Sequence, residues 1–376
     1  MNMQLGTLQE YIDRTGITAH YSPCGSLVLF DYNKMVSFTR DWDNLTRTAR
    51  GLVFNVATGK VASRSFDKFY NLDEPEVGGY EKLPPGEITW LEKADGSMIE
   101  CFYSIGRWWF TTRGSFNSDQ AIWAEAWAST HLNFNMMSKV YTFIFECIYP
   151  ENRIVVDYGD TEELRLTGIR HIESGEFLSY ATMEYIAALI KSNIVKRFTF
   201  SDIHAALASR ETLTINEEGY VGRIGNFMFK LKGNAYCLAH KAMSNMTPLA
   251  FWDAIDIATF KIPESFLSQI PEEFRSDVDA LAGIVEKVHQ DIIDKTMEYA
   301  ASVPVFDSTT ADGKKSRYLY ISNNFPSGYV HRILSVVNNN SMHVRNEIHR
   351  AVRPNYNKFN GVTLSKALQR FIEEAD

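Results

Sequence analysis

Lys93 lies in the stretch Trp90-Leu-Glu-Lys-Ala-Asp-Gly-Ser-Met-Ile-Glu100, behind an apolar run and two residues ahead of an Asp-Gly pair. A lysine amine at neutral pH is protonated and attacks nothing. Neighbouring cations or removal from water lower its pKa, and it then becomes a nucleophile. Asp95-Gly96-Ser97 between apolar residues predicts a tight turn joining two strands. Asp95 would fix that turn, and Gly96 would let a ligand approach the backbone. By itself the motif favours a surface hairpin with an incidental lysine, because Lys-x-Asp-Gly arises often by chance.

The elements that would position Lys93 are short β-type runs broken by turn signals over the first 240 or so residues, among them "SLVLFDY", "RGLVFNV", "EITWLEK", "VYTFIFECIY" and "EGYVGRIGNFMFKLK". Helical stretches are predicted over 117–130 and 181–192. This is an α+β pattern dominated by antiparallel hairpins. In "FMFKLK", strand alternation puts Lys230 and Lys232 on one face and Phe229 and Leu231 on the other. Beyond residue 245 the texture becomes helical. Thr247 and Pro248 form a start signal, Ser276 is a plausible N-cap, and apolar residues then recur at helical spacing to about Ser302. "GYVHRILSVVNN", "SMHVRNEIHRAV" and "TLSKALQRFIEEAD" also read as helices. Two domains are expected, 1–243 and an all-α domain 244–376.

The 376 residues are 45% hydrophobic and 22% charged, enough apolar mass for a sizeable core and not a disordered composition. The four cysteines are scattered, which argues against a zinc ribbon or disulfide framework and fits a reduced, cytoplasmic setting. No apolar run reaches the ~18 residues of a membrane span, and the N-terminus lacks the basic and apolar blocks of a signal peptide. A net charge of −8 supplies no general attraction for nucleic acid, so any polyanion site must be a local cluster of cations.

Four motifs follow one another in a fixed order. Lys93-Ala-Asp-Gly-Ser is followed by "TFIFECIYPENRIV" with Glu146, then by Glu218-Gly-Tyr-Val, then by "FMFKLK" with Lys230 and Lys232. In this order they resemble the covalent nucleotidyltransferases, the superfamily of ATP-dependent ligases and capping enzymes. "TARGLVF" with Arg50, "SRSFDKFYNLDE" with Lys68 and Phe69, and "GIRHIESGEFLSY" narrow the resemblance to the RNA ligase 1 family, the T-even-phage-type tRNA-repair ligases. It covers roughly residues 28–240. It implies an N-terminal nucleotidyltransferase domain of ATP-grasp-like, DNA-ligase-type antiparallel sheets with helices. DNA ligases continue into a β-rich OB-fold after the lysine pair, whereas helices follow here.

The resemblance implies three steps. Lys93 attacks the α-phosphate of ATP, the AMP passes to the 5′-phosphate of an RNA strand, and a 3′-hydroxyl then displaces AMP to seal the strands. Such steps need charge neutralisation and in-line placement. Arg50, Lys68, Lys230 and Lys232 supply cations, which would also depress the pKa of Lys93. A triphosphate brings a divalent ion, Mg2+ or in its place Mn2+, with Glu218 as the candidate ligand. By resemblance Glu146 contacts the ribose or the metal, Tyr32 matches a tyrosine of the nucleotide pocket, and Tyr236 matches a position that matters in the family; Phe69 would pack near the nucleotide or in the core. Arg113, in "FTTRGS", stands where the family pattern has lysine; it keeps the charge and changes the donor geometry.

The resemblance also implies an RNA partner of the broken-anticodon tRNA type, contacted in part by the helical domain. There Lys314, Lys315 and Arg317, and Arg345, His349, Arg350 and Arg353, form candidate basic faces, with Arg345 and His349 four apart on one face. Ordinary solvated helix faces are the plainer alternative. His343 and His349 lack a metal-ligand set. A monomer is expected, in a host cytoplasm if the source is a phage. The rival readings are a DNA ligase or capping-type nucleotidyltransferase, and a noncatalytic RNA- or nucleotide-binding module.

Overall fold

The computed structural model describes residues 4–245, 248–267 and 275–351. The chain divides after Leu238 into two units. The strands of the first, numbered along the chain, are β1 (Ile17–Tyr21), β2 (Leu27–Tyr32), β3 (Arg50–Asn55), β4 (Val61–Ser63), β5 (Tyr70–Asn71), β6 (Thr89–Glu92), β7 (Ser97–Ser104), β8 (Arg107–Thr111), β9 (Tyr141–Ile148), β10 (Glu163–His171), β11 (Arg197–Phe198), β12 (Gly219–Ile224) and β13 (Phe227–Lys232). They form three sheets, in the orders β1-β2-β3-β4, β10-β9-β7-β8 and β11-β6-β12-β13-β5. Every pairing is antiparallel except β13 with β5.

Alternation along each strand decides what each sheet covers. In the first sheet Val28, Phe30, Leu52 and Phe54 pack around Tyr11 of the helix Leu8–Asp13. Leu27, Leu29 and Val53 point the other way, onto Phe102 and Trp109 of the second sheet. In the second sheet Phe143, Phe145 and Cys147 pack with the helices Asp119–His131 and Tyr180–Ile190. The sequence predicts these helices over 117–130 and 181–192, and they start within two residues of that, where Ser118 and Ser179 cap them by accepting from backbone N–H groups. The opposite faces of the second and third sheets remain for Glu146 and Lys230.

The expected hairpin across Asp95-Gly96 does not form. β6 pairs with β11 and β12, and β7 with β8 and β9, so residues 93–96 carry the chain from the third sheet to the second. Gly96 is needed for a different reason than a turn. A Cβ there would lie 2.5 Å from the Cys147 carbonyl oxygen and 3.2 Å from Glu146 Cγ, so the absent side chain lets β9 close in.

Over its described residues the second unit consists of helices, the longest being Arg275–Ala301, with an isolated antiparallel bridge between Asp256 and Lys261. Ser276 falls inside that helix, not at its cap. Thr247, Arg353 and the stretch 363–376 lie outside the described residues. The expected basic faces are altered by packing. Arg317 is buried and donates to Asn338. His349 is buried and stacks on Trp252 at 4.2 Å, and Arg345 sits over the Phe260 ring. Arg345 and His349 do share a side of the helix Ser341–Ala351, but Val344 and Ile348 on that helix are fully buried and draw it inward. Lys314, Lys315 and Arg350 remain exposed.

Candidate active site

β6, β12 and β13 lie side by side, and their register builds the site. Leu91, Val221 and Lys230 are opposite one another in a row. Two residues along, Lys93 N donates to the Gly219 carbonyl at 2.9 Å, and Gly219 faces Lys232. Phe229 and Leu231 turn into the core with Trp90 and Tyr220, leaving the lysines on the other face as alternation predicts.

Glu218 precedes β12 and is almost wholly buried. Its Oε1 lies 2.7 Å from Lys93 Nζ and 2.9 Å from Lys232 Nζ. Burial pushes the Glu218 carboxyl up, but the two ammonium groups outweigh it and hold the carboxyl below its usual range. Lys93 departs from expectation. Burial lowers its pKa, yet Glu218 and Glu146 overcome that and raise it above the ordinary lysine value. The depressed amine is Lys230, brought down to about 6 by burial, with Lys93, Arg50 and Lys68 adding repulsion. The cations expected to activate Lys93 act on its neighbour because Glu218 reaches Lys93 first.

A cavity of about 230 Å3 opens beside these groups. Lys93, Gly96, Glu146, Lys230, Arg50 and Phe69 line it, with Leu91, Val195, Val221 and Met228 supplying apolar wall. Burial pushes the Glu146 carboxyl up to about 8; Lys93 opposes the shift and Glu218 reinforces it. Among the described residues no protein group donates a hydrogen bond to that carboxylate. Arg50 donates to the Met98 sulfur at 3.1 Å, and Phe69 receives Arg50 on its ring at 5.7 Å and Lys230 at 4.8 Å.

Asp95 closes the base of the site. Its Oδ2 accepts from Val155 N and Val156 N, both at 2.9 Å, and its Oδ1 accepts from the Tyr236 hydroxyl at 2.8 Å. Its own N donates to the Tyr158 hydroxyl at 3.0 Å. Tyr236 also carries Lys232 on its ring, at 5.1 Å.

The remaining expected residues form a second cluster, off the cavity lining. Arg113 pairs with Asp31 at 3.0 Å, donates to the Tyr32 hydroxyl at 3.2 Å and lies over the Tyr32 ring. Lys68 stands within 5.1 to 5.7 Å of the ring centres of Tyr70, Trp42 and Tyr32. Asp31, Trp42, Val155 and Tyr158 were missed from the sequence, and none carries a local signal. Among the described residues no cluster of three or more His, Cys, Asp or Glu could hold a metal ion, and no helix is long and apolar enough to cross a membrane.

The family model described as RNA ligase matches residues 48–236, just over half of the chain, a span that holds Arg50, Lys68, Lys93, Arg113, Glu146, Glu218, Lys230, Lys232 and Tyr236. A candidate bifunctional polynucleotide kinase/RNA ligase of Autographa californica nuclear polyhedrosis virus is 29% identical over 243 residues, covering 57% of this chain and 34% of its own. A candidate RNA ligase of Thermovibrio ammonificans is 31% identical over 214 residues, covering 53% and 54%. The RNA ligase of Rhodothermus phage RM378 is 26% identical over 188 residues, covering 40% and 42%. The chain thus spans from a third to about half of the length of the curated relatives it matches. A solved archaeal ATP-dependent RNA ligase superposes with a TM-score of 0.46 at 13% identity, over 88% of this chain and 94% of that one. On the match over residues 48–236, the chain belongs to the RNA ligase family.

Proposed function

We propose that the protein is an ATP-dependent RNA ligase that works through a covalent Lys93–AMP. The observation that carries this is Lys93 and Lys230 facing one small cavity, with Lys93 and Lys232 both held by Glu218. The Lys93 amine, once deprotonated, forms a bond to the α-phosphorus of ATP while the bond to pyrophosphate breaks. A 5′-phosphate oxygen of the RNA then takes the adenylyl group and Lys93 regains its proton. A 3′-hydroxyl finally attacks the activated 5′-phosphorus and AMP leaves. Lys230 and Lys232 answer the charge of the triphosphate. Binding of that polyanion favours a protonated Lys230 and loosens the hold of Lys232 on Glu218, which frees Glu218 beside Lys93. Arg50 and Phe69 flank the nucleotide, while Asp95 and Tyr236 hold the floor. Tyr32, Lys68 and Arg113 meet the triphosphate or the RNA phosphate from the neighbouring cluster.

A divalent ion would be held by Glu218, with Glu146 on the cavity wall as a second candidate carboxylate. Glu146 is a carboxylate in the cavity without a protein donor, and Mg2+ (or Mn2+) takes one or two carboxylates and completes its shell from phosphates and water. Held there, such an ion would supply charge neutralisation to the triphosphate. The helical second domain would select the RNA, a tRNA broken in its anticodon loop by family resemblance, with Lys314, Lys315 and Arg350 as its exposed cations; the protein would act as a cytoplasmic monomer.

The test incubates the protein with α-labelled ATP and Mg2+ and then denatures it. Label should remain on the wild type, be absent from Lys93→Ala, and pass to RNA bearing a 5′-phosphate. Equal labelling of Lys93→Ala would remove Lys93 from the mechanism.

A further inference from the structure

Arg165 and Glu146 are direct partners across the β9–β10 ladder, so their side chains leave the same face of the second sheet. The Arg165 guanidinium does not stay there. It crosses to the third sheet, where Nη1 meets Glu92 Oε1 at 2.9 Å, and Glu92 immediately precedes Lys93. Glu92 is gripped twice more, its Oε2 accepting from Lys196 N at 3.1 Å and its own N donating to the Lys196 carbonyl at 2.8 Å. The guanidinium also lies 5.1 Å from the centre of the Tyr158 ring, whose hydroxyl receives Asp95 N. At its base it is tied to its own strand, Nε donating to Glu163 Oε1 at 2.7 Å. One side chain therefore touches Glu92 itself and the ring that holds residue 95, the two ends of the segment that carries Lys93.

The geometry points to Arg165 as a positioning residue that sets the separation between Lys93 on one sheet and Glu146 on the other. This rests on the reading of Lys93 as the adenylylated nucleophile. The backbone also joins the two sheets, through Ile194, which bridges to Leu166, and β11, which pairs with β6. Arg165 is the side-chain strut across that seam. A guanidinium shared between two carboxylates and an aromatic face has little freedom left, which suits a spacer better than a flexible ammonium would. Arg165 also neutralises Glu92, which lines the cavity and would otherwise present an unpaired carboxylate to a triphosphate.

The two contributions separate by experiment in the full chain. Single-turnover labelling of Lys93 at saturating α-labelled ATP is compared with sealing of a chemically pre-adenylylated RNA, a step in which Lys93 forms no bond. For Arg165→Met we expect labelling to slow by about 100-fold, the scale of an ångström-sized misplacement, with a far smaller loss in sealing. The double variant Arg165→Met/Glu92→Gln should remain as slow as the single, because removing the stray charge does not restore the strut. Arg165→Lys should recover only part of the rate. Labelling of Arg165→Met at the wild-type rate, full recovery in the double variant, or an equal fall in labelling and sealing would each overturn the inference. Absence of label on the wild type would instead strike the Lys93 reading itself. If Arg165→Met does not fold by circular dichroism, Glu92→Gln alone cuts the strut and leaves Arg165 on Glu163; it should show the same contrast between the two reactions, and no contrast overturns the proposal.

Discussion

Lys93 Nζ and Lys232 Nζ share a single oxygen, Glu218 Oε1, at 2.7 and 2.9 Å. On the proposed mechanism, nucleotide binding has to loosen the Lys93–Glu218 pair before the amine can react.

Glu218→Gln leaves two ammonium groups without their counter-charge in a largely buried setting. We expect a loss of roughly 3 kcal/mol in denaturant unfolding, the scale of breaking a buried pair from one side, together with severe loss of Lys93 labelling. Unchanged unfolding would show that water already screens the lysines.

Gly96→Ala introduces a Cβ 2.5 Å from the Cys147 carbonyl oxygen and 3.2 Å from Glu146 Cγ. Backbone must move, and Glu146 with it. Destabilisation of about 1–3 kcal/mol is expected, with slower labelling of Lys93. Gly328→Ala, where a Cβ meets nothing within 4 Å, serves as the control and should alter neither. Equal effects at both glycines would refute the close-approach argument.

Tyr236→Phe deletes the hydroxyl that donates to Asp95 at 2.8 Å while keeping the ring under Lys232. Asp95 retains two backbone donors, so a stability loss of about 1 kcal/mol is expected. Labelling should slow because Asp95 anchors the segment after Lys93. A variant with wild-type labelling would reduce Tyr236 to packing.

Glu100 provides the pH test. It is fully buried, Ser63 donates to its Oε2 at 2.5 Å, and its Oε1 has no partner. Burial pushes its carboxyl up to about 8, against the Ser63 hydrogen bond. The folded state then binds the proton more tightly than the unfolded state, whose carboxyl titrates at about 4.3. The stabilisation is complete below that value and is lost as pH rises through about 8. Glu100→Gln removes the titration, so its melting temperature relative to wild type should climb between about pH 5 and pH 9. A difference that stays constant over this range would mean that Glu100 is ionised throughout.

Local patterns carried far into this protein. Lys93 and Glu218 were legible through the order of short motifs and their resemblance to a family, and the shared face of Lys230 and Lys232, opposite Phe229 and Leu231, through strand alternation, a property of adjacent residues. Folding alone decided which distant groups meet. Asp95 finds the amides of Val155 and Val156 some sixty residues on, so a stretch that reads as a hairpin turn becomes a crossing between sheets. The protonation of Lys93 was decided there too: a lysine's pKa follows the nearest charges in space, and Glu218, far along the chain, lies at 2.7 Å while burial and repulsion act on Lys230 instead.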